Sequence, residues 1–327
     1  MGTGGGKIMG DISRRGALAA LGAATLARPA LSQPPFPAQQ IQLIVPFAAG
    51  GGTDLVARHY AAAAGRLGVS MQVVPLPGAG GARGTRQVAQ AAPDGYNLLF
   101  GTMGSNVTTP MLNDVGYRPD SFDPIAIVGA PSFIFVVDSR SSIGSMQELI
   151  SEAKKRSLTY GSAGAGSSTH VALALFSRRV GIEMLHIPFN GSAEALTAVL
   201  GRHVDLALPT TGSGLPSIRQ GAVRGLAITS SERSKEEPSI PTVKETGVDF
   251  TFYNWRGILA PKGTPKPVRD MLTDLSRRIV ADPEFILHST RAEGEPPTFL
   301  DGEAFQQQML REVEEQVEIT TLMRKQR

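Results

Sequence analysis

The stretch from Ile41 to Arg58 limits the choice of fold more than any other. Ile41-Gln42-Leu43-Ile44-Val45 is short, apolar and β-branched, the pattern of a buried parallel strand. Pro46-Phe47-Ala48-Ala49 and Gly50-Gly51-Gly52 follow, and then a helical segment beginning near Thr53. Consecutive glycines let a turn bare its backbone N–H groups. Thr53 is the expected N-cap, and Asp54 falls in the first turn, where its charge meets the positive end of the helix dipole. Such a turn either seats an anion or is a tight strand-to-helix connection that binds nothing. The same order of parts returns at Leu158-Thr159-Tyr160, the glycine-rich run Gly161 to His170, and a helix carrying Val171, Leu175 and Val180 that Gly181 closes.

Further strands are expected at 71–74, 97–100, 125–128, 133–137, 184–187, 204–208 and 226–229, with short helices such as 85–92 between them. The segment 101–106 reads as a loop. Strands alternating with helices predict parallel sheets covered on both faces, with ligands gathering at the C-terminal strand ends. The loops after Pro46 and Phe100 would then face one crevice. Ser145 and Glu148 have capping-box spacing. Thr264-Pro265 and Asp282-Pro283 each place a capping residue before a proline at a helix start. A last helix near 302–324 aligns Phe305, Met309, Val313 and Val317.

A chain of 327 residues is long enough for two domains, and 41% hydrophobic with 19% charged residues fits a folded chain. Zero cysteines exclude disulfides, thiolate metal sites and cysteine nucleophiles. Residues 1–32 hold Lys7, Arg14, Arg15 and Arg28 against Asp11, so removing them takes the formal charge from +3 to zero. The remainder has no basic excess to suit nucleic acid. Removal is expected: Arg14-Arg15, an apolar run through Leu26, and Ala30-Leu31-Ser32 form a twin-arginine-like signal peptide cleaved near Ser32. The export route, folded or unfolded, stays open, and the destination is the periplasm.

Enzymatic motifs fail on spacing. There is no G-x-S-x-G elbow, no P-loop lysine and no G-x-G-x-x-G, and the histidines are scattered without metal-ligand pairing. His170 follows Ser167 and Ser168 too closely on one helix start to act as their base, and reads instead as a capping or cleft-wall residue. Trp255 reads as a core or hinge aromatic.

Several blocks in order make the chain resemble the tripartite tricarboxylate transporter receptor family, the Bug-type extracytoplasmic solute-binding proteins. They include Ile44-Val45-Pro46-Phe47 with Gly51-Gly52-Thr53-Asp54, Pro77-Gly78-Ala79-Gly80-Gly81, and Ala92-Pro93-Asp94-Gly95-Tyr96. They continue through Gly164 to His170, His186 to Ser192, Ala227 to Ser230, Pro241-Thr242-Val243 and Trp255 to Pro261. The resemblance implies an α/β, two-lobed periplasmic-binding-protein fold, type II-like, with two crossover strands and a cleft between lobes. Lobe 1 would comprise 36–131 plus 252–327, and lobe 2 would comprise 132–251.

By the same resemblance, Phe47, Ala48, Gly51, Gly52 and Thr53 would grip a ligand carboxylate with Ser162, Ala163, Gly164, Gly166, Ser167 and Ser168, ordered waters assisting. Thr102, Ser105, Asn106, Asn190 and Gly191 would line the rest. Pro209 stands where many relatives carry an aspartate that meets a ligand amine. The expected ligand is therefore a carboxylate without an amino group: a di- or tricarboxylate, or an aromatic acid. Asp205 reads as structural. Ala48-Ala49 replaces a common proline pair, and Arg256 fills a slot often aromatic, where a surface ion pair is expected. The implied protein is a monomeric receptor with no catalytic residue, metal or cofactor, serving the membrane permease subunits of a tripartite tricarboxylate transporter. A ligand sensor for a membrane kinase is the alternative, and a hydrolase on the same frame the remoter one.

Overall fold

The computed structural model describes residues 1–2, 4–6 and 36–325. The signal-peptide motif lies outside the described residues. The chain divides into two units, Met1–Ala38 and Gln39–Arg327. The first has no helix or strand among its described residues, and every element lies in the second. No described helix is long and apolar enough to cross a membrane.

The walk along the chain begins β1 (Ile41–Val45), α1 (Gly52–Arg66), β2 (Met71–Pro75), α2 (Ala82–Ala89), β3 (Asn97–Thr102), α3 (Thr109–Leu112) and β4 (Phe122–Gly129). It continues β5 (Ile134–Asp138), α4 (Met146–Lys155), β6 (Leu158–Ser162), α5 (Ser168–Val180), β7 (Met184–Pro188), α6 (Ser192–Leu200), β8 (Leu206–Ala207), α7 (Thr211–Arg219) and β9 (Val223–Ile228). It then returns through β10 (Arg256–Pro261), α8 (Lys266–Val280), α9 (Pro283–Glu293), β11 (Leu300–Asp301) and α10 (Gly302–Lys325).

Two sheets result, ordered β11-β4-β10-β3-β1-β2 and β7-β6-β8-β5-β9. Apart from β11, the orders match strand for strand. In each, the first three strands run parallel, and the fourth position is filled by an antiparallel strand arriving from the other sheet. The sheets are therefore mixed, where the strand–helix alternation had predicted parallel ones. The chain passes between them twice, once from β4 to β5 and once from β9 to β10. The two passages lie side by side, with Ser132 bridged to Tyr253 and the Asn254 amide donating to the Pro131 carbonyl.

Several elements depart from expectation for identifiable reasons. Helix α1 starts at Gly52 with Gly51 as its N-cap, so Thr53 lies inside the first turn and caps nothing. The cap's work falls to Asp54, whose Oδ2 accepts from the Gly50 amide and from Arg58. The segment 101–106 is not a loop. Strand β3 runs on to Thr102, and Gly104–Thr108 forms a π-helical turn leading into α3. Helix α2 starts three residues earlier than expected, after the turn at Gly78–Gly81. Gly212, Gly214 and Pro216 hide α7 from propensity, yet those residues are helical.

Other capping signals hold. Ser145 accepts from the Glu148 amide, Ser167 from His170, and Asp282 from Phe285, while Gly181 closes α5 with φ 67°. Thr264 is displaced: α8 begins at Lys266, and the Thr264 hydroxyl donates to Pro261 instead. On α10, Val317 is exposed, and among the side chains described past Val313 the buried ones are Gln316, Ile319 and Thr320. A four-residue repeat on a 3.6-residue helix precesses by about 40° per step, so the stripe rotates off the core.

The core fixes the crevice-forming turns. Tyr60 on α1 is fully buried between Phe100 and Phe285, and its hydroxyl pairs with Ser276 at 2.7 Å. Trp255 packs edge-on against Phe305 and donates to Glu312, the core role expected of it. Asp205 accepts from the Thr159 amide and hydroxyl and from Arg156, which makes it structural.

Candidate functional site

Strand polarity brings the site together. The C-terminal ends of β1, β3 and β6 carry Phe47, Thr102 and Ala163 toward one crevice. Strand β10 is antiparallel to β3 and pairs Arg256 with Thr102, so its first residue arrives at the same edge. A cavity of about 30 Å³ lies there. It is lined by Phe47, Ala48, Gly51, Thr53, Thr102, Ala163, Ser167 and Ser168, all expected from sequence. Phe133, Thr169, Ser192, Thr210, Asn254 and Arg256 complete the wall. The volume suits about two water molecules, so a four-carbon acid enters only if the walls part.

Four helices start at this wall: α1 after Gly51, α5 at Ser168, α6 at Ser192 and α7 after Thr210. Each adds a positive dipole end. Among the described residues, the amides of Gly52, Thr53, Ser168 and Thr169 have no acceptor within the chain. Thr53, Thr102, Ser167, Ser168, Thr169, Ser192 and Thr210 bring hydroxyl-bearing side chains to the lining of the cavity. Arg256 is the only charged residue among those lining the cavity, and no carboxylate is among them.

The remaining expected residues lie behind the wall, in structural contacts. Gly52 packs on Thr210 and Glu293. Ser105 and Asn106 are fully buried, with the Ser105 hydroxyl turned to Thr102 and Asn106. The Ser162 hydroxyl pairs with His186 Nε2 at 2.6 Å. Gly164 and Gly166 are points of close approach: a Cβ there would meet Gly80 and Thr109 at 2.7 and 2.6 Å. The Asn190 carbonyl accepts from the Ala48 amide at 3.1 Å, and Gly191 abuts Ala48. The first glycine turn is thus met by the turn before α6, while the Gly161–Ser168 turn meets Gly80, Gly104 and Thr109. Pro209 is buried off the wall, and its neighbour Thr210 faces the cavity instead. His170 accepts the Gly166 amide at Nδ1 and stacks on His186, rings 3.8 Å apart, so it braces the turn.

Arg256 departs most from expectation. The surface ion pair is a buried one: Arg256 is 3% and Glu293 2% exposed. Arg256 Nε and Nη2 both donate to Glu293 Oε1, at 3.2 and 3.0 Å, and Oε2 has no partner. Burial pushes the Glu293 carboxyl up, and Arg256 opposes that rise. An arginine opening the apolar strand Arg256-Gly257-Ile258-Leu259-Ala260 was the available signal. Only the antiparallel entry of β10 shows that it points into the crevice. Asn254, on the second passage, accepts from the Met103 amide and from the Ser168 hydroxyl, and so ties the two sheets' turns together.

Comparison with known proteins gives one answer. Residues 56–323 match the family described as tripartite tricarboxylate transporter family receptor. The chain is similar to the periplasmic binding protein BugD at 33% identity and a TM-score of 0.82, covering 88% of this chain and 98% of that one. It is similar to MatC from Rhodopseudomonas palustris, solved with bound malate, at 28% identity and a TM-score of 0.81, over 87% and 100% of the two chains. It is likewise similar to R. palustris Rpa4515, solved with adipate, at 28% identity and 0.82, over 88% and 98%. The two-sheet architecture, the crevice between the sheets and this agreement over most of the length carry one conclusion: the chain belongs to the tripartite tricarboxylate transporter receptor family of two-lobed periplasmic solute-binding proteins.

Proposed function

We propose that this receptor closes on a small organic acid without an amino group and delivers it to the membrane permease subunits of a tripartite tricarboxylate transporter. The observation that carries the reading is the cavity itself. Four helix starts, open backbone amides, seven hydroxyls and one guanidinium converge there, with no lining carboxylate to pair with a ligand amine. Charge-assisted hydrogen bonds of this kind contribute ~1.5–3 kcal/mol each. Two relatives above 25% identity were solved with malate and with adipate, which supports a carboxylate ligand here. The lobes are taken as 36–131 plus 252–327 and as 132–251, with the hinge at the paired passages near Pro131 and Asn254. The expected residues that lie behind the wall would act by shaping the turns.

A thermal-shift screen over mono-, di-, tri- and aromatic carboxylates, with amino acids as controls, tests the proposal. A ligand at a hundred times its Kd stabilises the native state by about 2.7 kcal/mol. At least one organic acid is expected to raise Tm strongly while amino acids leave it unchanged. Tight binding of an amino acid, with every organic acid inert, would sink the proposal.

A further inference from the structure

The Arg256–Glu293 pair is built in an unusual way. A carboxylate facing a guanidinium commonly uses two oxygens in two parallel bonds. Here one oxygen takes both donors on the Nε–Nη2 edge, and the second oxygen takes none. Arg256 lines the cavity and Glu293 does not, so the paired edge is turned away from the ligand space. Nη1 has no acceptor among the described residues. The guanidinium therefore presents its other edge, a planar fork matched to a second carboxylate. Gly52 leaves room for this: a Cβ there would lie 2.9 Å from Glu293 Oε1 and 2.6 Å from the Thr210 hydroxyl.

A ligand's first carboxylate has the open amides at the starts of α1 and α5. The second would have the only charged side chain on the wall. We propose that Arg256 is a specificity-determining residue that receives a second anionic group of the ligand through its Nη1 edge, with Glu293 as the positioning residue that holds the guanidinium toward the cavity. This rests on the carboxylate-receptor reading and adds to it that the receptor prefers diacids to monoacids of the same skeleton.

The test is calorimetric titration of three matched pairs: succinate with butyrate, adipate with hexanoate, and phthalate with benzoate. Removing one partner of a buried pair strands the other's charge and can unfold the protein. The informative variant is therefore the double exchange Arg256→Gln with Glu293→Gln, checked for a cooperative melt. The intact protein is expected to favour the diacid of at least one pair by on the order of 10- to 100-fold, the range of a charge-assisted bond. The double variant should bring that ratio close to one, and Arg256→Lys, which keeps the charge and loses the fork, should give a value between. A folded double variant that keeps the diacid preference overturns the inference, as does an intact protein that binds monoacids equally well. In both cases the carboxylate-receptor reading stands. If none of the six acids binds while another organic acid from the wider screen does, this inference falls and the carboxylate reading stands; if every organic acid is inert, both fall.

Discussion

At Gly104 a methyl group would lie 2.3 Å from the backbone nitrogen of Ser168, an atom of the opposite side of the crevice. The Gly104 amide already donates to the Ser168 hydroxyl at 3.0 Å. Backbone cannot yield as a flexible side chain can, so Gly104→Ala obstructs this approach directly. The residue's own turn is helical, which alanine favours. The variant should therefore melt near the parent temperature yet bind its acid at least about tenfold more weakly, a loss of ~1.4 kcal/mol. Calorimetry beside a thermal melt checks this, and an unchanged Kd would show that the contact is dispensable. Gly80 makes a similar approach, to the Ala165 carbonyl, but with φ 64°, so alanine there would add backbone strain and blur the outcome. Residues of this kind are legible in a sequence as glycine-rich turns. What each glycine makes room for is not, because the partner is some sixty to ninety positions away.

Among elements, α1 and α9 meet through His59 and His288, whose rings stack at 4.7 Å. Burial lowers the His59 pKa, and the neighbouring His288 lowers it further. The folded state thus binds a proton at His59 less readily than the unfolded chain does. Stability from this site is complete above about pH 6.5 and is lost as the pH falls through the window below it. Urea midpoints taken from pH 7.5 down to 5.5 should decline less steeply for His59→Gln than for the parent, and parallel slopes would remove His59 as a contributor. The site matters because α1 carries Thr53 to the cavity wall and α9 carries Glu293, the partner of Arg256, behind it. Element types were largely readable: β1, β6, α4 and α5 follow apolar period and caps, and α10 follows its apolar period as far as Val313. Strand direction was not readable, since β10 and β5 look like any apolar run until the return of the chain is known. That one missing fact misplaced Arg256.

For the whole molecule, a cavity of about 30 Å³ holds water rather than an organic acid, so its walls must part for one to enter. The free protein in solution is expected to show a larger radius of gyration in small-angle scattering than this structure gives, and saturating adipate or malate should contract it. Identical scattering curves with and without a ligand shown to bind would mean that only the turns shift. Family membership and two-lobed architecture were within reach of the sequence, because ordered motif blocks span the chain. How tightly the turns meet was not, because it depends on backbone contacts between distant segments.

The chain crosses between its sheets by two neighbouring strands, bridged at Ser132 and Tyr253. A single tether would let one half tumble against the other in any direction. A pair of antiparallel tethers side by side behaves like the two pins of a door, and leaves one easy rotation. If capture of a ligand turns one half on the other about these two links, each event would follow the same arc.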